Sequence, residues 1–278
     1  MLGHGYLGFL NIEAYLIFYT ITLFFGITIG SFLNVCIYRI PKNESLSKQS
    51  SHCPKCNNKI KAYDLIPLFS WLFLRGKCRY CKEKISPRYP IVEGLNALVY
   101  IIAFSYIDMF ETPVHGVITA LFFSILIVIG FIDYDTLEID VRLLFGILIL
   151  GVLSAVFTDT LPLKARFIGV FCISVPFFII GELSSIYIKK KTGEKMRGIE
   201  LGDTLLMLCS GFLIGYRAII ASAAIGILIA AIVGIINKYK TKESKFAFGP
   251  YLAIGIFAGF FLGEKIINWY INLITYKP

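Results

Sequence analysis

The chain has 278 residues, a formal net charge of +9, 57% hydrophobic residues and only 16% charged ones, against roughly 25% charged in a soluble domain. With a mean hydropathy of +0.75, it is excluded from the ordinary soluble enzymes. Its apolar residues fall in runs of about 20, the length that crosses a hydrocarbon core of roughly 30 Å. On a soluble chain such a charge would suggest nucleic acid, so the positions of the 27 Lys and Arg decide what it means.

The N-terminal stretch MLGHGYLGFLNIEAYL has no Lys or Arg before its apolar residues and no small-residue cleavage site close after them, so a retained span is expected in place of a cleaved signal peptide. Apolar runs then fall at about 15–38, 90–107, 115–132, 143–158, 166–188, 204–215, 217–237 and 247–271. The expected fold is an all-α polytopic membrane protein of about eight transmembrane helices. Only Gly215 to Arg217 separates the sixth run from the seventh, so a re-entrant pair is the alternative there.

With the N-terminus outside, the loops 39–89, 133–142, 189–203 and 238–246 face the cytosol and hold 22 of the 27 basic residues. Lys164, Arg166, Arg217, Lys265 and Lys277 remain outside. This is the asymmetry of the positive-inside rule, reinforced by attraction to the anionic cytoplasmic leaflet. It accounts for the net charge without nucleic acid, although a basic loop beside a membrane also suits anionic lipid or an anionic substrate. There is no internal repeat and no second soluble domain: 1–38 reads as a first span, 39–89 as a cytosolic insert and 90–278 as the remaining spans.

The insert carries Cys53 and Cys56, then Cys78 and Cys81, two CxxC pairs with 21 residues between them. Each pair can offer two thiolates to one tetrahedral ion, the pattern of a closed structural zinc site. His52 is an additional neighbour that such a site does not require. Disulfides are the other reading, but a reducing cytosol disfavours them, whereas zinc would hold a small loop-rich insert together. A four-cysteine site has no open position, so its zinc would fold the loop and perform no chemistry on substrate.

Carboxylates bordering apolar runs are expensive and are functional candidates by default. Asp133 and Asp135 follow the third run, Glu138 and Asp140 precede the fourth, and Asp203 opens the sixth. All lie on one expected membrane face, so residues 70 apart can meet as a dyad that shares a proton and activates water against a peptide carbonyl. The plainer reading is of solvated acids at helix ends, with Asp203 as an N-cap. Glu93 and Glu182, inside the second and fifth runs, add two buried acids, the latter without an assigned role.

The stretches GSFLNVCIYRIP (Gly30–Pro41), CPKC and DLIPLFSWLFLRGKCRYCKEKISPRYPIVE (Asp64–Glu93), with FGPYLAIG (Phe248–Gly255) further on, resemble the bifunctional type IV prepilin peptidases, bacterial inner-membrane aspartic proteases of the GxGD type. The resemblance covers nearly the whole chain. It implies removal of a short basic leader from a prepilin or pseudopilin at the cytosolic face, then methylation of the exposed amino group with S-adenosylmethionine, the second step linked to the first loop. Residue by residue it assigns Asp133 of FIDYDTLEI and Asp203 of LGD to the catalytic pair, and Cys53, Cys56, Cys78 and Cys81 to zinc. Partners implied are the N-terminal segment of the pilin and membrane lipid, with no nucleic acid expected.

Three positions depart from the family pattern. Glu200 stands where the GxGD motif begins with glycine, Leu205 replaces a lysine, and Ile139-Asp140 replaces Ile-Pro. Glu200 demands a backbone conformation that a side chain accepts and brings a third acid near the pair. No glycine-rich nucleotide fingerprint exists for the methyl donor. Asn34, Arg39, Arg88 and Glu93 are the polar cofactor candidates near the loop, though Arg39 and Arg88 also suit helix-end anchors at lipid headgroups.

Two rivals from other classes remain. A transporter could use the acids for cations or protons, but they cluster at one face and no paired broken helices mark two halves. A zinc-ribbon binding module could use the basic loop with Tyr63, Phe69, Trp71 and Phe73, in which case binding would be steeply salt-dependent. A peptidase lacking the methyltransferase is the third alternative.

Overall fold

The structure, a computed structural model, describes residues 12–48, 51–109, 111–193, 197–241 and 246–275. The stretch before Ile12, and Lys195, Lys242, Lys245 and Lys277 of the charge count, lie outside the described residues. The described residues form eight α-helices and no strand: α1 Ile12–Arg39, α2 Phe69–Phe73, α3 Arg88–Tyr106, α4 Pro113–Thr136, α5 Val141–Phe157, α6 Leu163–Thr192, α7 Leu201–Thr241 and α8 Gly249–Thr275. α1, α3, α4, α6, α7 and α8 are each long and apolar enough to cross a membrane. The chain is an all-α, multi-pass membrane protein.

Each expected apolar run lies in a helix, with two differences in division. The 143–158 run forms α5, at 17 residues shorter than the others. Runs six and seven share α7, whose 41 residues are interrupted only at Gly215, where φ is 80° and ψ 171°. Unbroken, α7 would extend about 60 Å, twice the hydrocarbon core. Gly215 tolerates the positive φ that makes the break, and the carbonyls freed just before it are met by a buried cation. The Arg166 Nη1 donates to Phe212 O and Leu213 O, both at 3.3 Å, while its Nη2 donates to Ser154 Oγ at 3.0 Å. An arginine counted among the outward cations thus serves as the C-cap of half a helix.

The chain packs as two compact units, one ending at Val128 and the other starting at Ile129. In the first, α1 lies against α3 with Gly26 on the Ala97 backbone and Gly30 on that of Glu93. Polar groups lock this apolar pair: Asn96 Nδ2 donates to Gly26 O at 2.7 Å, and Ser124 Oγ of α4 lies 2.8 Å from Asn96 Oδ1. In the second unit α7 packs on α5, α6 and α8. Gly255, Gly259 and Gly263 of α8 approach Gly226, Ser222 and Ala218 of α7, a small-residue stripe that lets backbones meet where lipid supplies no hydrophobic drive.

Between α1 and α3 the cysteines form two matching knuckles. Cys53 N–H donates to Asn58 O and Asn57 N–H to Cys53 O, while Cys78 N–H donates to Glu83 O and Lys82 N–H to Cys78 O. Asn57 and Lys82 both have positive φ, and single bridges, His52 with Lys59 and Lys77 with Lys84, close the two turns.

Candidate functional site

In the second unit Asp133 lies one turn before the end of α4 and is 5% exposed, whereas Asp135 and Glu138 beside it are exposed. Helix phase decides this: Asp133 shares the buried face of Ile129 and Ile132, and α4 ends at Thr136, before Leu137, whose positive φ carries the next residues away. Its Oδ2 accepts a 2.8 Å hydrogen bond from Gly249 N–H, the first residue of α8. The N-terminal amide of α8, at the positive end of the helix dipole, therefore points at this carboxylate.

Asp203 sits in the first turn of α7, 3% exposed, and its Oδ2 accepts from Glu200 N–H at 3.2 Å. That is the reaching-back half of a capping box, with an aspartate doing what a glutamate usually does. Asp133 is close enough for its charge to act on Asp203, and Glu200 is within range of both. Gly202 lies under Ile139, where an added Cβ would come within 3.0 Å of the isoleucine Cβ. Thus the loop after Asp133 rests on the glycine before Asp203.

Two of the three departures from the family pattern have structural answers. Glu200 is exposed and contributes its backbone to the motif, with its N–H on Asp203 and its carbonyl accepting from Thr204 N–H at 3.3 Å. Asp140 caps α5, accepting from Arg142 N–H at 2.9 Å and pairing with the Arg142 guanidinium at 2.6 Å. It opens the helix as proline would, and the arginine holds its carboxyl below the usual carboxylate range. Leu205 is half-buried, and nothing in the structure explains the exchange. Glu182 pairs with Arg197, and Ser184 Oγ accepts from Gly198 N–H at 2.8 Å. Together they tie the segment before Glu200 to α6.

In the first unit the Sγ atoms of Cys53, Cys56, Cys78 and Cys81 all lie within 4.8 Å of one another, Cys53 and Cys81 at 3.9 Å. Four thiolates at about 2.3 Å from one tetrahedral zinc stand about 3.8 Å apart, so the donor set fits that ion. The Cys78 thiol is pulled down to about 7, first by the Cys81 backbone N–H, while burial and the neighbouring sulfurs push the Cys81 thiol up to about 11, so four thiolates would coexist here only around a cation. The Arg79 Nε and Nη2 clamp Asp64 at 2.8 and 2.6 Å, bracing the second knuckle and holding that carboxyl low.

Beside the knuckles a cavity of about 410 Å³ is lined by Asn34, Arg39 and Glu93 together with Tyr38, Trp71 and Tyr89; Arg88 is not on its wall. Three of the four cofactor candidates therefore meet. Asn34 Nδ2 donates to Tyr89 O at 3.1 Å, and Arg39 Nη1 to Ser45 O at 3.0 Å. Glu93 Oε2 accepts from Leu68 N–H at 2.7 Å. Leu68 has φ 60° and ψ −54°, with Phe69 N–H bonded to Pro67 O at 2.6 Å, a tight γ-turn that costs of order 1–3 kcal/mol. Glu93 supplies the bond that offsets it.

Sequence reasoning missed the Gly249 amide and the Leu68 turn. Gly249 lay within a recognised motif and precedes Pro250, itself a helix-start signal, but backbone donors leave no side-chain signature. Residues 24–107 match the bacterial peptidase A24 N-terminal domain, and residues 120–235 match the type IV leader peptidase family. The prepilin leader peptidase/N-methyltransferase of Aeromonas salmonicida is 31% identical, aligned over 93% of this chain and 95% of its own. That of Neisseria gonorrhoeae is 30% identical over 89% and 92%, and that of Bacillus subtilis 28% over 91% and 98%. No solved structure matches.

Proposed function

The chain belongs to the type IV leader peptidase family, and from that premise we propose that Asp133 and Asp203 are the dyad with which it cleaves a prepilin or pseudopilin leader. The supporting observation is that these two acids, 70 residues apart, are buried in one unit, each oriented by the backbone amide of a helix start. The substrate's apolar helix lies in the bilayer with its basic leader on the cytosolic side, where the charge bias puts the insert and both aspartates. Asp133, holding the shorter bond from the α8 amide, is the ionised member and takes a proton from water as the oxygen attacks the scissile carbonyl. Asp203 donates its proton to the carbonyl oxygen. When the diol collapses, the C–N bond breaks, the amine leaves with the proton held by Asp133, and Asp203 takes back a hydroxyl proton as the new carboxyl forms.

The insert, 39–89, is the methyl-transfer region, 90–278 the peptidase core and 1–38 the first span, in a bacterial inner membrane. Zinc on Cys53, Cys56, Cys78 and Cys81 fixes the two knuckles and with them the cavity wall. S-adenosylmethionine supplies the methyl group that goes to the new N-terminal amine. For it the cavity offers Glu93 and the rings of Tyr38, Trp71 and Tyr89 toward a cationic centre, with Asn34 and Arg39 toward a carboxylate. Arg88, off the wall, takes the anchoring role at the start of α3.

The test is the intact mass of a cognate prepilin co-expressed with the wild type, Asp133→Asn, Asp203→Asn, and Cys78→Ser. Leader loss plus one methyl is expected for the wild type, and an intact leader for both asparagine variants. Cys78→Ser should lose its zinc and the methyl mark. Cleavage by either asparagine variant sinks the dyad assignment, and cleavage without methylation by the wild type confines the activity to the peptidase.

A further inference from the structure

The insert carries an apolar surface that neither proposed activity uses. Ile66, Phe69, Leu72 and Phe73 are 51%, 55%, 64% and 84% exposed within eight residues. In a water-facing loop that patch would be a liability. Its depth indicates otherwise. α3 has 19 residues, about 28 Å, so to cross a core of roughly 30 Å it uses its whole length. Glu93 lies five residues inside it, about 7 Å below Arg88, and Leu68 N–H is bonded to Glu93 at 2.7 Å. Interfacial segments lie about 5–10 Å into the boundary between headgroups and acyl chains.

The backbone of this segment is also closed in a way that depth demands. Besides Leu68, the amides of Phe69, Ser70, Leu72 and Leu74 donate to Pro67, Ile66, Leu68 and Ser70 carbonyls, so few of its donors need water. Lys61, Arg75 and Lys77 flank it, matching an anionic headgroup layer. We propose that residues 66–73 form a re-entrant interfacial anchor, with Phe69, Leu72 and Phe73 inserted among the lipids of the leaflet nearest the insert. The zinc knuckles and the cavity are then held against the membrane surface from a third point, in addition to the ends of α1 and α3.

The test places trifluoromethyl-phenylalanine at Phe73, and separately at Leu72, in the full chain reconstituted into nanodiscs containing anionic lipid. Phe24 in the middle of α1 and Tyr80 in the second knuckle, 65% and 44% exposed, are the lipid and water references. Fluorine relaxation by dissolved oxygen, which concentrates in the bilayer, is compared with relaxation by an aqueous nickel chelate. Zinc content confirms that each variant is folded. The expected oxygen-to-nickel ratio at positions 73 and 72 is several-fold above that at 80 and below that at 24, which lies nearer the bilayer centre. A ratio matching position 80 overturns the proposal in favour of a water-facing patch, and protection from both reagents overturns it in favour of a protein partner or a second copy.

Discussion

Replacing Gly249 with alanine is the most informative single change, because the structure fixes where the added methyl group goes. The new Cβ would lie 2.8 Å from Asp133 Oδ2, 3.0 Å from its Cγ and 3.1 Å from its Cβ. Ordinary contact needs about 3.4 Å or more, so Asp133 or the start of α8 must retreat by about half an ångström. That stretches the 2.8 Å amide bond to the carboxylate, worth about 1.5–3 kcal/mol for a charged acceptor. A misplacement approaching 1 Å at a reacting group costs about a hundredfold in rate. Gly249→Ala should therefore lower kcat/KM for leader cleavage by one to two orders of magnitude while the protein keeps its helices and its zinc. Gly234→Ala is the control, since an added Cβ there meets nothing closer than 3.9 Å and alanine is the better helix former by about 1 kcal/mol. Cleavage by Gly249→Ala within about twofold of the control would refute the idea that this amide orients the dyad.

Three further outcomes follow from the same geometry. Arg166→Leu removes donors to Leu161, Phe212, Leu213 and Ser154; at about 0.6 kcal/mol per intramembrane bond, unfolding in detergent should come about 2 kcal/mol earlier, with Arg166→Lys recovering part. Arg142 depresses the folded-state carboxyl of Asp140, so its contribution is present above an unfolded value of about 4 and is lost as pH falls through the folded one. Asp140→Asn keeps the cap and should cost about 0.5 kcal/mol at pH 7, a gap in melting temperature that closes on acidification; a gap constant with pH would contradict the assignment. Glu182→Lys should slow cleavage by loosening the segment before Glu200, and adding Arg197→Glu should restore it, because the pair and not either charge holds the segment. Failure of the double exchange to recover activity would show that Glu182 acts another way.

What could be read from the sequence was what side-chain chemistry writes locally. The four cysteines announce their cluster because two CxxC knuckles can do little else in a basic loop, and the apolar runs announce helices because lipid leaves few other options. Asp133 could be told from Asp135 and Glu138 by resemblance, and the structure supplies the physical reason: of the three, only Asp133 shares the face of Ile129 and Ile132. The single-residue break at Gly215 was visible as a glycine and invisible as a geometry. Its partner Arg166, 49 residues earlier, looked like any outward cation until the fold brought it to the freed carbonyls.

The same limit explains the rest. Gly249 acts through its N–H and through what it lacks, so its only trace in the sequence is the absence of a side chain. That absence equally marks Gly255, Gly259 and Gly263, which serve helix packing. Distinguishing an orienting glycine from a packing one requires knowing which atom stands opposite the missing Cβ, and here that atom is a carboxylate oxygen of Asp133. Glu93 is a parallel case in side-chain form: an acid inside an apolar run signals a cost to be met, but the Leu68 amide that meets it lies 25 residues earlier, in a turn whose strain no propensity predicts. Wherever this protein uses backbone amides to hold its acids, sequence identifies the acid and only the fold identifies the holder.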